Sequence, residues 1–502
     1  MIRMHAHRLA TLVVLLLIGF GAAGCAVSTN PVTGNKRAYA YTWQEEIAIG
    51  RDADPQIVAQ FGKYGSDELE AYIDSLGQAL LEVSHLRRPG ADPEWQATPF
   101  TFRVLDSPVV NAFALPGGFV YVTRGLLAHL NNEAQLAVVL GHEIGHVAGR
   151  HGSKRAMNQM FGQAAVLAGA VGGQALFGGN AAQNVLGLGS DVANLMFLSY
   201  GRNDERESDD LGVEYASLLG YDAAEGSAFF RSLRRMSEKS GQEIPSFMST
   251  HPDPGEREQT IQRLAAEWAA QVPGSRLQER HYRRMTNGIV WGEDPRQGFT
   301  REGMFYHPGL AFQFPVPGGF RIINQPSQVV LVSSNEQAFV IFSIESKHAT
   351  ARLAADAFAA QEGMTAVTSS RAASTALPGW VVTATVAQQN GQELRVRAHY
   401  IEYNDQVYAF TGVAAAADFD TWKGQFELSS NNFRPLTDPK VLATEPVRVF
   451  WQQAALTGTF QSLVQDTLPD GVAADEMAIV NQVNLGDTIP RGTPIKLLRQ
   501  GE

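Results

Sequence analysis

The stretch that most constrains this chain runs from Glu133 to Ala148. It passes through Leu136-Ala137-Val138-Val139-Leu140 and then presents His142-Glu143-Ile144-Gly145-His146. So apolar a run of this length predicts a buried helix. Residues four apart share one helix face, so His142 and His146 can reach one ion together. Glu143 lies between them and can reach an open coordination position, where it would take a proton from a water. Zinc lowers the pKa of such a water to about 7. The competing reading is a pair of structural histidines on a core helix. The apolar flanks already exclude a solvated surface helix, which would not bury them.

Two histidines supply two ligands, and a third is needed. His151 follows Gly149, but H-E-x-x-H-x-x-G-x-x-H spacing would put the last histidine one position later, where Gly152 stands. His151 therefore reads as a helix-end residue or one that supports a ligand. The better candidate lies in Asp204-Glu205-Arg206-Glu207-Ser208-Asp209, the start of an amphipathic helix over 203–219. Glu205 and Asp209 share one face. Glu205 can be the third ligand, while Asp209 can accept a hydrogen bond from a ligand imidazole and fix its tautomer. Glu207 is the rival ligand and points to another face. The bland alternative is an exposed acidic first turn that suits the helix dipole.

Residues 40–270 resemble the CAAX-prenyl-protease and HtpX-like family of gluzincin metallopeptidases, and most of all its soluble periplasmic lipoprotein branch of the BepA type. The resemblance rests on Asn111-Ala112-Phe113-Ala114 with Pro116-Gly117-Gly118, on His142 to His146, on Glu205 to Asp209, and on His251-Pro252. The family's E-x-x-A-D falls on Glu205 to Asp209 with Ser208 in place of Ala, which implies Glu205 as third ligand of one Zn2+ per chain. The resemblance also places His251 near the metal. There it would steady a tetrahedral oxyanion or plug the fourth zinc position, with a solvated loop histidine as the alternative. Arg257 is expected to support this region through a carboxylate. Phe119 to Thr123 is expected as an edge strand above the zinc, open to an extended peptide.

The N-terminus suggests where such a chain works. Arg3, His5, His7 and Arg8 precede an apolar run from Leu9 to Ala23. That run is shorter than the roughly 20 residues a membrane span needs and reads as a signal-peptide core. It ends in Ala22-Ala23-Gly24-Cys25, similar to a bacterial lipobox, and Cys25 is the only cysteine in the chain. Lipidation of Cys25 explains that single occurrence. Related lipoproteins also carry Asn-Pro-Val-Thr-Gly after the cysteine, as Asn30 to Gly34 do here. Ala26 stands where an Asp would favour the inner membrane, so the expectation is a periplasmic protein anchored to the outer membrane. The net charge of -11 argues against nucleic acid as a partner.

The 502 residues suggest several units. The expected fold class is α+β: a mainly helical zincin domain with a small β-sheet, then an α+β domain and a small C-terminal LysM-like unit. The expected boundaries are a lipoprotein signal peptide over 1–24, a tether over 25–40, the metallopeptidase over 41–285, the accessory domain over 300–437 and the last unit over 445–502. Phe161 to Gly189, rich in Ala and Gly, reads as a small-residue helix pair on the core, with membrane contact as the alternative. Asn390-Gly391 and Asn404-Asp405 sit where tight hairpins belong. The last unit reads as helix, helix, short strand. Asp487 to Thr493 faintly resembles a LysM glycan-binding module, the alternative being a capping unit.

Together these readings point to a membrane-anchored zinc endopeptidase. Its expected partners are unfolded or misassembled envelope polypeptides, the membrane through Cys25, and peptidoglycan if the LysM likeness holds. The alternatives are an envelope chaperone with a self-plugged zinc site and a scaffold anchored to the cell wall.

Overall fold

The computed structural model describes residues 26–158, 200–240, 247, 251, 254–372, 377–387, 392–469 and 471–500. The leader with Cys25, the stretch 161–189 and the turn at 390–391 lie outside them. The chain is α+β, with helices dominating its first part and several sheets following.

The segment expected as a tether folds as a hairpin. Strands β1 (Ala26–Thr29) and β2 (Lys36–Tyr39) pair antiparallel, Ala26 opposite Tyr39. Buried Asn30 ties it together. Its Oδ1 accepts from the backbone N–H of Val32 at 2.9 Å and of Thr33 at 2.8 Å. Its Nδ2 donates to the Tyr39 hydroxyl at 3.0 Å and to the Gly149 carbonyl at 3.1 Å. Gly149 caps the C-terminus of the His-bearing helix, so the hairpin is fastened to that helix. Beside it, buried Arg150 pairs with Glu46 at 2.6 Å and stacks 3.8 Å from the Tyr39 ring centre.

Helix α1 (Trp43–Phe61) opens with a capping box between Thr42 and Glu45, and α2 (Asp67–Val83) with a Ser66 cap. Strands β3 (Thr101–Leu105), β4 (Ala112–Leu115) and β5 (Phe119–Thr123) form a sheet in the order β3-β5-β4. β5 is thus the central strand. It is held on one side by parallel pairing to β3 and on the other by the turn that joins it to β4. The edge expected at Phe119–Thr123 belongs instead to Ala112–Leu115. Gly117 in that turn has φ +81, and a Cβ there would lie 2.4 Å from the Ile47 Cα, so only glycine fits.

Helix α3 (Arg124–His129) leads into α4 (Glu133–Ala148), every residue of which is buried. Then come α5 (Arg202–Leu218), α6 (Gly226–Ser240), α7 (Pro254–Ala269) and α8 (Glu279–Thr286). Helices α4 and α5 cross at glycine. A Cβ on Gly212 of α5 would lie 2.8 Å from the Val138 carbonyl and 2.9 Å from the His142 nitrogen of α4. Backbones this close leave no room for a side chain at the crossing.

Beyond β6 (Ile289–Val290), strands β7 (Phe299–Arg301), β8 (Met304–His307) and β9 (Phe312–Pro315) join a short strand at 434–435 in a four-stranded sheet. An antiparallel seven-stranded sheet follows. Its strands are β10 (Phe320–Gln325), β11 (Gln328–Ser333), β12 (Ala338–Glu345), β13 (Met364–Arg371), β14 (Gly379–Ala387), β15 (Glu393–Tyr403) and β16 (Gln406–Ala415), in the order β10-β11-β12-β16-β15-β14-β13. Alternation along β15 and β16 sends Ala398, Tyr400, Val407 and Ala409 to one face with α9 (Ala351–Ala359). Ile401, Tyr408 and Phe410 go to the other face with α10 (Phe419–Asn431). Asn404 and Asp405, with φ of +46 and +57, form the two-residue turn between them.

The C-terminal segment is strand, helix, helix, strand, because Val447–Gln453 pairs with Pro494–Gln500 and with β6. The leading strand, Val-Arg-Val-Phe-Trp, went unread in the sequence. This unit is part of the main core: Met477, Ala478 and Ile495 cluster with the residues of α4. Buried Lys496 donates to the carbonyls of Ala128 at 2.8 Å, Leu130 at 2.7 Å and Val480 at 3.0 Å. It thereby holds the loop that launches α4.

Asn30→Ala should loosen the hairpin, since it strips partners from buried polar groups at a cost of about 3 kcal/mol. Amide exchange over residues 26–40 should quicken roughly a hundred-fold, and unchanged exchange would show the knot to be idle.

Two buried histidines should make the fold acid-sensitive. Burial pushes His129 down to about 4 and His399 down to about 3. Neither ring nitrogen of His399 has a hydrogen-bond partner. The unfolded chain binds these protons near pH 6.5, so between there and about pH 4 it holds more protons than the native state. Stability therefore falls as pH falls, by about 2 kcal/mol per histidine from pH 7 to pH 5. Melting curves across that range should show the drop, and His399→Leu should flatten it.

Candidate metal centre

Helix α4 supplies His142, Glu143 and His146, and α5 supplies Glu205 and Asp209. The crossing at Gly212 presses these two faces together. His251 arrives from the chain ahead of α7. One ligand atom each from His142, His146, Glu205 and His251 gathers so that all lie within 4.8 Å of one another, and all four residues are buried.

The geometry tests whether a metal suits this cluster. His142 Nε2 stands 2.9 Å from His146 Nε2 and 3.2 Å from His251 Nδ1. The Glu205 carboxylate lies 3.5 Å from His142 Nε2, 3.4 Å from His146 Nε2 and 3.1 Å from His251 Nδ1. Tetrahedral zinc with bonds of about 2.0–2.1 Å would space its ligand atoms about 3.3 Å apart. The tautomers agree. His142 Nδ1 lies 3.0 Å from an Asp209 oxygen, so it carries the proton and Nε2 turns its lone pair inward. Lone pairs converging in a dry site repel unless a cation lies between them. The donor set fits zinc.

Charge around the cluster is balanced. Burial and Arg257 work against a proton on His142, but Asp209 and Glu205 outweigh them and hold the ring up at about 9, so zinc binding at Nε2 would release a proton to free that lone pair. Burial alone would raise Glu205, yet His251 and Arg257 keep its carboxyl well below the usual range. Arg257 pairs with Asp209 at 2.5 Å and with Glu205 at 3.1 Å. Its guanidinium lies 4.3 Å from the Phe230 ring centre. Burial pushes the Glu143 carboxyl up, with His251 and His142 partly offsetting it. Both Glu143 oxygens lack a hydrogen-bond partner, and the nearer one is 3.6 Å from His251 Nε2. A carboxyl with raised proton affinity, facing a metal cluster, is suited to accept a proton.

The structure thus brings together His142, Glu143, His146, Glu205, Asp209 and His251. It leaves Glu207 outside the cluster, with its Oε2 3.1 Å from His151 Nε2. Two neighbours escaped the sequence reading. Tyr200 stacks on His146 with ring centres 4.0 Å apart, and Phe247 stacks on His251 at 4.6 Å. Nothing in their local sequence distinguishes them from ordinary core aromatics.

Gly212→Ala should be destabilising by about 2 kcal/mol, although Ala normally gains about 1 kcal/mol over Gly within a helix. Thermal melting together with zinc analysis should show lower stability and weaker metal retention. A more stable variant with full metal would contradict the close crossing.

Comparison with known proteins bears on the same residues. Residues 70–265 match Peptidase family M48. A putative beta-barrel assembly-enhancing protease of Vibrio cholerae is 32% identical over 195 residues, covering 38% of this chain and 37% of that one. The beta-barrel assembly-enhancing protease of Escherichia coli is 28% identical over 259 residues, covering 51% of each chain. The mitochondrial metalloendopeptidase OMA1 of Danio rerio is 28% identical over 243 residues, covering 47% of this chain and 50% of that one. The chain spans about half the length, or less, of the curated relatives it matches. The match to Peptidase family M48 thus spans every residue of the cluster, from His142 to His251.

Proposed function

We propose that this chain is a zinc-dependent endopeptidase that hydrolyses peptide bonds in misfolded or unassembled cell-envelope proteins. The observation that carries the reading is the buried cluster of His142, His146 and Glu205 with an unpartnered Glu143 carboxyl beside it. Zinc bound there would polarise the scissile carbonyl and make a water easier to deprotonate. Glu143 takes the proton as the water oxygen attacks the carbonyl carbon, then passes it to the leaving nitrogen as the C–N bond breaks. Asp209, clamped by Arg257, keeps His142 in its ligating tautomer. An extended substrate is offered β4, which has no further neighbour among the described strands. Backbone pairing there would accept many sequences.

His251 favours a second element, a self-plugged site. Its Nδ1 stands among the ligand atoms. The Phe247 N–H donates to the Val110 carbonyl just ahead of β4, at 3.2 Å. Phe247 and His251 would thus stand beside both the proposed substrate edge and the fourth zinc position. Such a gate would protect intact envelope proteins. Held shut, it would leave an assembly factor that cuts rarely.

The envelope setting is supported by the relatives named as assembly-enhancing proteases and by the lipobox-like Ala22 to Cys25. No described helix is long and apolar enough to cross a membrane. A lipid on Cys25 would hold the protein at the outer membrane, facing the periplasm. Peptidoglycan as a further partner rests on the LysM likeness of Asp487 to Thr493 alone.

Glu143→Gln should keep zinc yet lose about 10²–10⁴-fold in hydrolysis of an unfolded casein substrate. Full activity in that variant would overturn the proposed role of Glu143. His251→Ala separates the two roles of that residue. Activity should rise several-fold if His251 is a plug, and a fall with zinc retained would make it an oxyanion donor instead.

A further inference from the structure

The two ligating histidines are backed differently. His142 Nδ1 meets a carboxylate, Asp209, at 3.0 Å. His146 Nδ1 meets another imidazole, His151 Nδ1, at 2.9 Å, and His151 Nε2 in turn meets Glu207 Oε2 at 3.1 Å. We propose that His151, held by Glu207, is the positioning residue for His146 and sets how tightly the site retains zinc. This rests on the zinc reading given above.

Proton counting gives the chain a single sense. For His146 to present a lone pair at Nε2, its Nδ1 must carry the proton and donate it. His151 Nδ1 must then accept, so the His151 proton sits on Nε2 and is donated to Glu207. A carboxylate two rings away thereby fixes both tautomers. The orientation also shows that His151 serves His146 rather than the metal. The two rings meet through their Nδ1 atoms, while His146 Nε2 faces His142 and Glu205 on the other side.

The backbone is built to deliver this contact. Gly149 ends α4, and Arg150 then adopts φ +57 before a second helical stretch begins at His151. A Cβ on Gly149 would lie 2.4 Å from His151 Nε2, so the imidazole folds into space that only glycine leaves open. His151 is wholly buried, and the Ser208 hydroxyl lies 3.3 Å from the same Nδ1. Asp204 is the other acid nearby, but it is 3.9 Å from His151 and is engaged by Lys154. Glu207 is therefore the partner, and its side chain reaches the surface, at 25% exposure. Losing such a partner of a metal-bound histidine typically weakens affinity by roughly 10–100-fold.

The test is zinc affinity, measured by competition with a chromophoric chelator on the full chain, with the melting temperature of the metal-free protein beside it. His151→Phe keeps the ring volume and removes the acceptor, and should raise the zinc Kd roughly 10–100-fold. His151→Gln restores an acceptor oxygen and should recover most of that loss. Glu207→Gln should cost several-fold, and the His151→Phe/Glu207→Gln double variant should be no weaker than His151→Phe alone. If His151→Phe fails to fold, His151→Gln compared with Glu207→Gln decides, since Glu207 lies at the surface. A zinc Kd in His151→Phe within two-fold of the parent, or additive losses in the double variant, would overturn the proposal. A parent protein that binds no zinc would overturn the functional reading itself.

Discussion

The site depends on one contact, the crossing of α4 and α5 through Gly141 and Gly212. A Cβ on Gly141 would lie 3.1 Å from the Gly212 Cα, and the reverse contact is tighter still. One helix can offer two histidines a turn apart but cannot supply a third ligand on the same ion. The second helix must come close enough for a short carboxylate side chain to reach between them. Side-chain-free packing at the crossing achieves this, and Glu205 and Asp209 then face His146 and His142 across the gap.

That closeness has an electrostatic consequence. Ionisable groups gathered without water are stable only when matched in charge and hydrogen-bonded. Arg257 supplies the counter-charge to Asp209 and Glu205, and its guanidinium lies against Phe230. At the cluster, Glu143 is the acid left unpaired: neither of its carboxyl oxygens has a hydrogen-bond partner. An orphaned buried acid beside three ligand side chains points to a reaction rather than to stability. The helix ends are held as well: Asn30 and Arg150 fasten the C-terminus of α4, and Lys496 fastens the loop before its N-terminus.

Helix α4 and the acidic start of α5 were legible because their patterns are local: an apolar run, and side chains spaced four apart. The ligand candidates followed from the same spacing. What stayed hidden depends on contacts distant in sequence. Strand β5 reads like an edge until β3 is seen to pair with it in parallel. Residues 25–40 read as a tether because the partners of Asn30 include Gly149, far along the chain. Tyr200 and Phe247 look like any core aromatics until the fold stacks them on His146 and His251. His151 was legible as a helix-end residue or one that supports a ligand, but not as the partner of His146 in particular. The left-handed Arg150 that separates it from α4 leaves no signature in composition.

X-ray absorption at the zinc edge of the metal-loaded full chain tests the central claim most directly. This account predicts one zinc per chain in a four-coordinate shell of nitrogen and oxygen, with three imidazoles in the resting protein and two after His251→Ala. A protein that binds no zinc, or a shell that keeps its imidazoles when His142 and His146 are replaced, would contradict it.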